Sequence, residues 1–123
     1  MKVLKVLVIG IVCIVGLFFL VFGMPIMSPN ESDCTIVRGE VTNLMGNDNT
    51  FDISLFLEND DAYYYVNRGL ENGLSINELE ESLLHQFAEV HYVRHWSLLN
   101  FKGKRRHIAR IKVGNELLYD EIN

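Results

Sequence analysis

What this chain lacks narrows its chemistry before anything it contains is considered. It has two cysteines, Cys13 and Cys34, in 123 residues. Cys13 falls inside a long apolar run and Cys34 beyond it, so the two cannot pair across the boundary that such a run creates. A disulfide framework is therefore excluded. Cys34 is expected as a free thiol or an intermolecular bridge, a buried thiol being the plainer of the two. Glycine-rich phosphate loops are also missing, because Gly69 and Gly73 do not join a strand to a Walker or dinucleotide pattern. Ser75, Ser82 and Ser97 have no nucleophile-elbow context. Asp60-Asp61 and Glu80-Glu81 fall in a turn and on an exposed helix face, where solvated carboxylates are expected rather than a catalytic pair. No cofactor signature is present, and no catalytic residue stands out.

Charge of one sign is scarce in one stretch and missing from another. Between Glu31 and Glu89 there are thirteen acidic residues against only Arg38 and Arg68. From Arg94 to Lys112 the chain carries Arg94, Lys102, Lys104, Arg105, Arg106, Arg110 and Lys112 and no acidic residue at all. The expectation is an acidic domain with one basic tip or edge.

Set against these absences is the run Val6 to Met24, nineteen consecutive uncharged residues that are almost all Val, Ile, Leu, Phe or Gly. As a helix at ~1.5 Å per residue it spans roughly 28 Å, close to the ~30 Å hydrocarbon core of a bilayer. It exceeds the ~7 to 15 residues of a signal-peptide apolar region, and no small-x-small cleavage site follows it. A retained single-pass anchor is thus expected, rather than a cleaved leader. Cys13 is no lipoprotein cysteine, since Ile11 and Val12 precede it where small residues would stand. Lys2 and Lys5 flank the run before it and Glu31 and Asp33 after it, which puts the N-terminus in the cytoplasm and the remainder outside. The division that follows is residues 1–27 as anchor, 28–34 as a short linker and 35–123 as one extracytoplasmic β-rich domain. Pro25, Pro29, Asn30 and Ser32 give the linker turn and extended preferences without periodicity. Asn30-Glu31-Ser32 is formally a glycosylation sequon.

Within the domain, periodicity sets the elements. Thr35 to Met45 reads as a strand with Val37, Gly39 and Val41 on one face, and Gly39 suggests a bend or bulge. Gly46-Asn47-Asp48-Asn49 turns the chain into a second strand, where Phe51, Ile53, Leu55 and Leu57 alternate with Asp52, Ser54, Phe56 and Glu58. Tyr63-Tyr64-Tyr65-Val66 is a third, short strand whose side chains reach both faces. Ser75 with Glu78 forms a capping box flanked by Leu74 and Leu79. The helix it starts aligns Ile76, Leu79, Leu83 and Phe87 and fades near His85. Ala88 to Leu99 reads as a strand with Arg94 and Trp96 on one face and His91 and His95 on the other. A basic connection, residues 102–106, leads to His107–Val113 and Glu116–Asp120 around the hairpin turn Gly114-Asn115, with Ala109, Ile111 and Val113 inward.

The order of three strands, a helix and two or three further strands gives an α+β domain that resembles the OB-fold, a small partly open barrel with its helix between strands three and four. The resemblance covers about residues 35–120 and is one of element order, without a sequence motif, so it implies architecture and not activity. A curled antiparallel sheet with a different strand order is the competing architecture.

For function, two readings follow. One is a non-enzymatic binding module that contacts a partner protein, anionic lipid or anionic polymer at the membrane surface through Arg94, Trp96, Lys102, Lys104, Arg105 and Arg106. In an OB-like barrel the connection between the last two barrel strands borders the usual ligand face, and cations beside an aromatic suit anionic ligands. Extracytoplasmic placement argues against nucleic acid and for lipid headgroups. The other is a membrane-anchored metal-dependent hydrolase using His91, His95 or His107. On a helix, His91 and His95 would share a face and suit zinc; on the strand expected here they stand roughly 13 Å apart, too far for one ion. They are therefore expected to be surface histidines.

Overall fold

The structure, a computed structural model, describes residues 1–22, 29–94, 98–100 and 102–122. It opens with helix α1 (Lys2–Phe22), followed by a 3-10 turn at Glu31–Asp33. The domain then runs β1 (Thr35–Gly46), β2 (Ile53–Leu57), β3 (Tyr63–Val66), α2 (Ile76–Leu83), β4 (Phe87–Arg94), a 3-10 turn at Leu98–Asn100, β5 (Arg105–Val113) and β6 (Glu116–Asp120). Strands lie in the order β3-β2-β1-β4-β5-β6, and β3 also pairs with β5. Five strands thus close into a mixed barrel, β6 extends it as a hairpin arm, and α2 sits between strands three and four. The OB-like expectation holds. The alternative of an open curled sheet does not.

Closure depends on β1 serving two neighbours. Its first half, Thr35 to Glu40, pairs antiparallel with β4, and its second half, Val41 to Gly46, pairs with β2. The two ladders lie on opposite edges of β1 and are offset along it, one giving way to the other at Glu40–Val41. A bulge between Val41 and Asn43 follows that changeover. Gly39 stands just before it, but an added Cβ there would meet Leu57 at an ordinary 3.5 Å. Space does not demand glycine at that position, and the bulge at Val41/Asn43 supplies the curvature. The last edge is sealed by the parallel pairs Tyr63–Arg105, Tyr64–Arg106 and Tyr65–His107.

The alternation seen in the sequence places the core. Val41, Leu44, Ile53, Leu55, Leu57, Tyr64, Val66, Val90, Tyr92, Ile108 and Ile111 fill the barrel, and Leu79 and Leu83 of α2 plug it from below. Burying each of these aliphatic side chains is worth ~1.5–3 kcal/mol, which is how so short a helix is held in place. Ser75 caps α2 by accepting from the Glu78 amide at 3.5 Å, as expected. The helix stops at Leu83 because His85 adopts a left-handed conformation, φ 63°, and donates its amide to the Val41 carbonyl at 2.8 Å. Phe87, expected on the helix's apolar face, lies instead at the start of β4 and is exposed.

Three other expectations need correction. Phe51 takes φ 62° and stands before β2, so it belongs to the loop and is exposed. β4 ends at Arg94 and Leu98–Asn100 form a separate turn, so the strand does not run on to Leu99. β5 begins at Arg105, and a bulge at its middle turns Ile108 and Ile111 into the core, while Ala109 is buried outside the main core cluster. Pro29 is buried, and Glu31 lies 3.6 Å from Arg110 of β5.

Gly69 provides the most direct test of this packing. A Cβ there would stand 2.8 Å from Ile53 Cδ1, 3.1 Å from Ile53 Cγ1 and 3.2 Å from Val66 Cγ1. Ile53 is itself locked in the core, so Gly69→Ala is expected to lower unfolding free energy by ~1–3 kcal/mol. Denaturant unfolding of the two proteins measures this, and equal midpoints would show that the loop does not approach Ile53.

Candidate binding surfaces

The β4–β5 connection was expected to gather cations for a ligand. Its backbone is instead drawn tightly into the barrel. Asn100 acts as a substitute strand partner for Arg105, donating from its side chain to the Arg105 carbonyl at 2.7 Å and accepting from the Arg105 amide at 3.0 Å. Gly103, at φ 66°, turns the chain back, and Lys104 accepts from the Tyr63 amide at 2.8 Å. These bonds fix where each cation points.

Arg106 points inward. It donates to the Tyr64 hydroxyl at 2.7 Å and to the Gly103 carbonyl at 3.1 Å, with its guanidinium 4.7 Å from the centre of the Tyr92 ring. The Tyr64 hydroxyl in turn donates to Asp60 at 2.6 Å, and the second Asp60 oxygen accepts from the Ala62 amide at 2.9 Å. Burial, with the bond to Asp60, drives the Tyr64 hydroxyl well above its ordinary pKa, against the nearby Arg106. It stays protonated and acts as a fixed link between a cation and an anion. A half-buried guanidinium is tolerated here because each polar group of the chain Arg106–Tyr64–Asp60 has a partner. Arg105 lies flat over Tyr65, 4.4 Å from the ring centre, and 3.6 Å from Asp52. Of the six residues expected to bind, then, Arg105 and Arg106 are largely spent on closing the barrel. Lys102 and Lys104 are exposed. Arg94 ends β4 with only its backbone described, and Trp96 lies outside the described residues.

Leu98 and Leu99, which the sequence reading left on a strand, take over the tip of this connection. They are 49 % and 73 % exposed. Helix α1 touches this same turn, and Val21 in its last turn is the one residue of α1 that is half-buried rather than exposed. The tip is therefore apolar, flanked by Lys102 and Lys104, and set at the foot of α1.

Two of the histidines, His91 and His107, are 4 % and 5 % exposed, which for His91 corrects the expectation of a surface histidine, and each carries a carboxylate of its own. His91 Nε2 pairs with Glu89 at 3.0 Å, and Glu89 also accepts from Arg38 at 2.6 Å. His107 Nε2 pairs with Glu121, which also accepts from the Tyr119 hydroxyl at 2.7 Å. His91 Nδ1 is buried and has no hydrogen-bond partner among the described residues. His95, the third candidate ligand, lies outside the described residues. Among the described residues no group of three or more His, Cys, Asp or Glu is placed to hold a metal ion. Cys34 is a free, half-buried thiol whose sulfur donates to the Asn30 carbonyl at 3.4 Å. Burial first, and Asp33 second, raise its pKa, so it is no thiolate nucleophile.

A second surface was not anticipated. On the outside of β1, β2 and β3, Met45, Ser54, Phe56 and Tyr63 meet the β1–β2 loop residues 46–49 around an open groove of about 540 Å³. Phe56 was the available signal, being the apolar exception on an otherwise polar strand face. Its partner Tyr63 comes alongside only through the β2–β3 register, which pairs the two residues. Comparison with known proteins adds nothing to either surface: no protein-family model, curated protein or solved structure matches the chain.

Two outcomes follow from these networks. Tyr64→Phe strands the Asp60 carboxylate and the Arg106 guanidinium and is expected to cost ~1–3 kcal/mol in urea unfolding; an unchanged midpoint would mean that water already serves both groups. Burial works against ionisation of Glu121, but His107 and Tyr119 outweigh it and hold its pKa below the ordinary 4.5. The stability this gives is present above pH 4.5 and is lost as pH falls through the lower folded value. Glu121→Gln should therefore flatten the loss of thermal stability below that pH, and an unchanged acid limb would contradict the pairing.

Proposed function

We propose that this chain is a non-enzymatic, single-pass membrane-anchored binding module whose OB-like barrel sits on the bilayer surface through its β4–β5 connection. The observation that carries this reading is the exposed Leu98-Leu99 tip, flanked by Lys102 and Lys104, at the foot of an apolar helix long enough to span a bilayer. Leucines gain by leaving water for the acyl boundary, and lysines gain from anionic headgroups at ~1 kcal/mol each. Two lysines contribute roughly 2 kcal/mol, or about 30-fold in population. That is too weak to recruit a free protein, but an anchor makes the contact intramolecular and so sufficient.

The anionic-polymer version of the reading has less behind it. Arg105 and Arg106, the two cations nearest an aromatic surface, are committed to Tyr65 and Tyr64. The hydrolase version has less still, since His91 and His107 are buried with their Nε2 atoms on carboxylates. Sidedness rests on Lys2 and Lys5 preceding the apolar run, which favours a cytoplasmic N-terminus and an extracytoplasmic barrel.

The test uses the full chain in lipid nanodiscs. A Leu99→Cys variant, with Cys13 and Cys34 replaced by serine, carries an environment-sensitive fluorophore. Blue-shifted emission in phosphatidylserine-containing bilayers, quenched by brominated lipid and reduced by Lys102→Glu with Lys104→Glu, is expected. Emission like that in water in every lipid would contradict the surface contact.

A further inference from the structure

From its lining, we infer that the groove on the outer face of β1, β2 and β3 is a binding site for an uncharged oligosaccharide. The groove is large enough for a small ligand, at about 540 Å³, and lies open at the surface as a cleft for a chain rather than a closed cavity. Its floor holds two half-buried rings, Phe56 and Tyr63, with centroids 6.2 Å apart and planes inclined by 31°. Two adjacent, slightly folded faces of this kind suit the apolar C–H faces of consecutive sugar rings. Exposed aromatic surface otherwise carries an unrecovered hydration cost.

The rim supplies what a polyhydroxylated ligand needs. Asn47, Asp48, Asn49 and Ser54 bring amide, carboxylate and hydroxyl groups to the edges of the rings. The loop that carries them is held in shape. Asn47 Oδ1 accepts from the Asn49 and Thr50 amides at 2.8 and 3.1 Å, and the Asn47 amide donates to the Asp52 carbonyl at 2.9 Å. Asp52 in turn accepts from the Arg68 amide at 2.8 Å. Little ordering entropy is left to be lost when a ligand binds.

Charge selects among ligand classes. No Lys, Arg or His is among the described residues that line the groove, and Asp48 is. A phosphate backbone or a sulfated chain would meet a carboxylate and no compensating cation, which disfavours every polyanion. The basic β4–β5 connection and the groove are thus two surfaces with opposite preferences. This inference does not depend on the bilayer contact proposed above.

The test titrates the full chain, in lipid nanodiscs so that no sugar-headed detergent competes, with cellohexaose, chitohexaose, maltohexaose and a thymidine oligonucleotide. Amide chemical shifts report binding. At least one neutral hexasaccharide is expected to shift amides in 45–49, 54–56 and 63, and the oligonucleotide none of these. Tyr63→Ala, and Ser54→Tyr, which fills the groove without removing core packing, should each weaken binding about tenfold or more. Lys104→Glu, outside the groove, should leave it unchanged and separates this result from the membrane reading. The inference is overturned if no hexasaccharide shifts these amides, if the oligonucleotide binds there instead, or if affinity survives Ser54→Tyr.

Discussion

The parallel pairing of β3 with β5 is the constraint on which the rest of this molecule depends. A sheet of five twisted strands this short has two vulnerable edges, and closing it removes both. Here the closing edge is only three residue pairs long, Tyr63 to Tyr65 against Arg105 to His107. So short a ladder needs side-chain support, and the chain supplies it on both faces. Inside, Arg106 links to Tyr64 and through it to Asp60. Outside, Arg105 covers Tyr65, with His107 edge-on to the same ring at 5.4 Å. Both arginines become part of the fold.

The range over which each signal acts explains why the architecture was legible in the sequence and the packing of these two arginines was not. Strand alternation in Ile53–Leu57, the Ser75 cap and the Gly114-Asn115 turn are local signals, and each element formed within a residue or two of where its pattern put it. The fate of Arg105 and Arg106 is decided by β3, some forty residues away, and nothing local marks it. A run of five positions rich in Lys and Arg reads as a solvated loop. Only the two-residue alternation of Arg106 with Ile108 hints that Arg106 faces inward. The bulge in β5 is equally silent, whereas that in β1 is marked only by Gly39 just before it. His91 and His107 misled for a related reason. A solvent-facing strand position is exposed only if nothing lies over it, and both histidines are nearly fully buried despite facing away from the core.

Once the arginines are spent, two surfaces of different character remain. One is the Leu98-Leu99 tip with its lysines at the foot of α1, whose chemistry matches a bilayer interface. The other is the aromatic and amide groove beside the β1–β2 loop, whose chemistry matches a neutral, hydroxyl-rich ligand. They share no residue, so the membrane contact and the ligand site proposed above are independent proposals. Both assignments follow from the barrel being closed. If β3 were a free edge, Arg105 and Arg106 would return to solvent, and the tip would become the polycationic loop that the sequence first suggested.

The most direct measurement is therefore of closure itself, by through-space proton contacts in solution between the backbones of β3 and β5. The account predicts contacts between Tyr64 and its neighbours Arg106 and His107 as clear as those between β1 and β4. Their absence, with the β1–β4 contacts intact, would mean an open sheet and would contradict the placement of the arginines on which both surfaces rest.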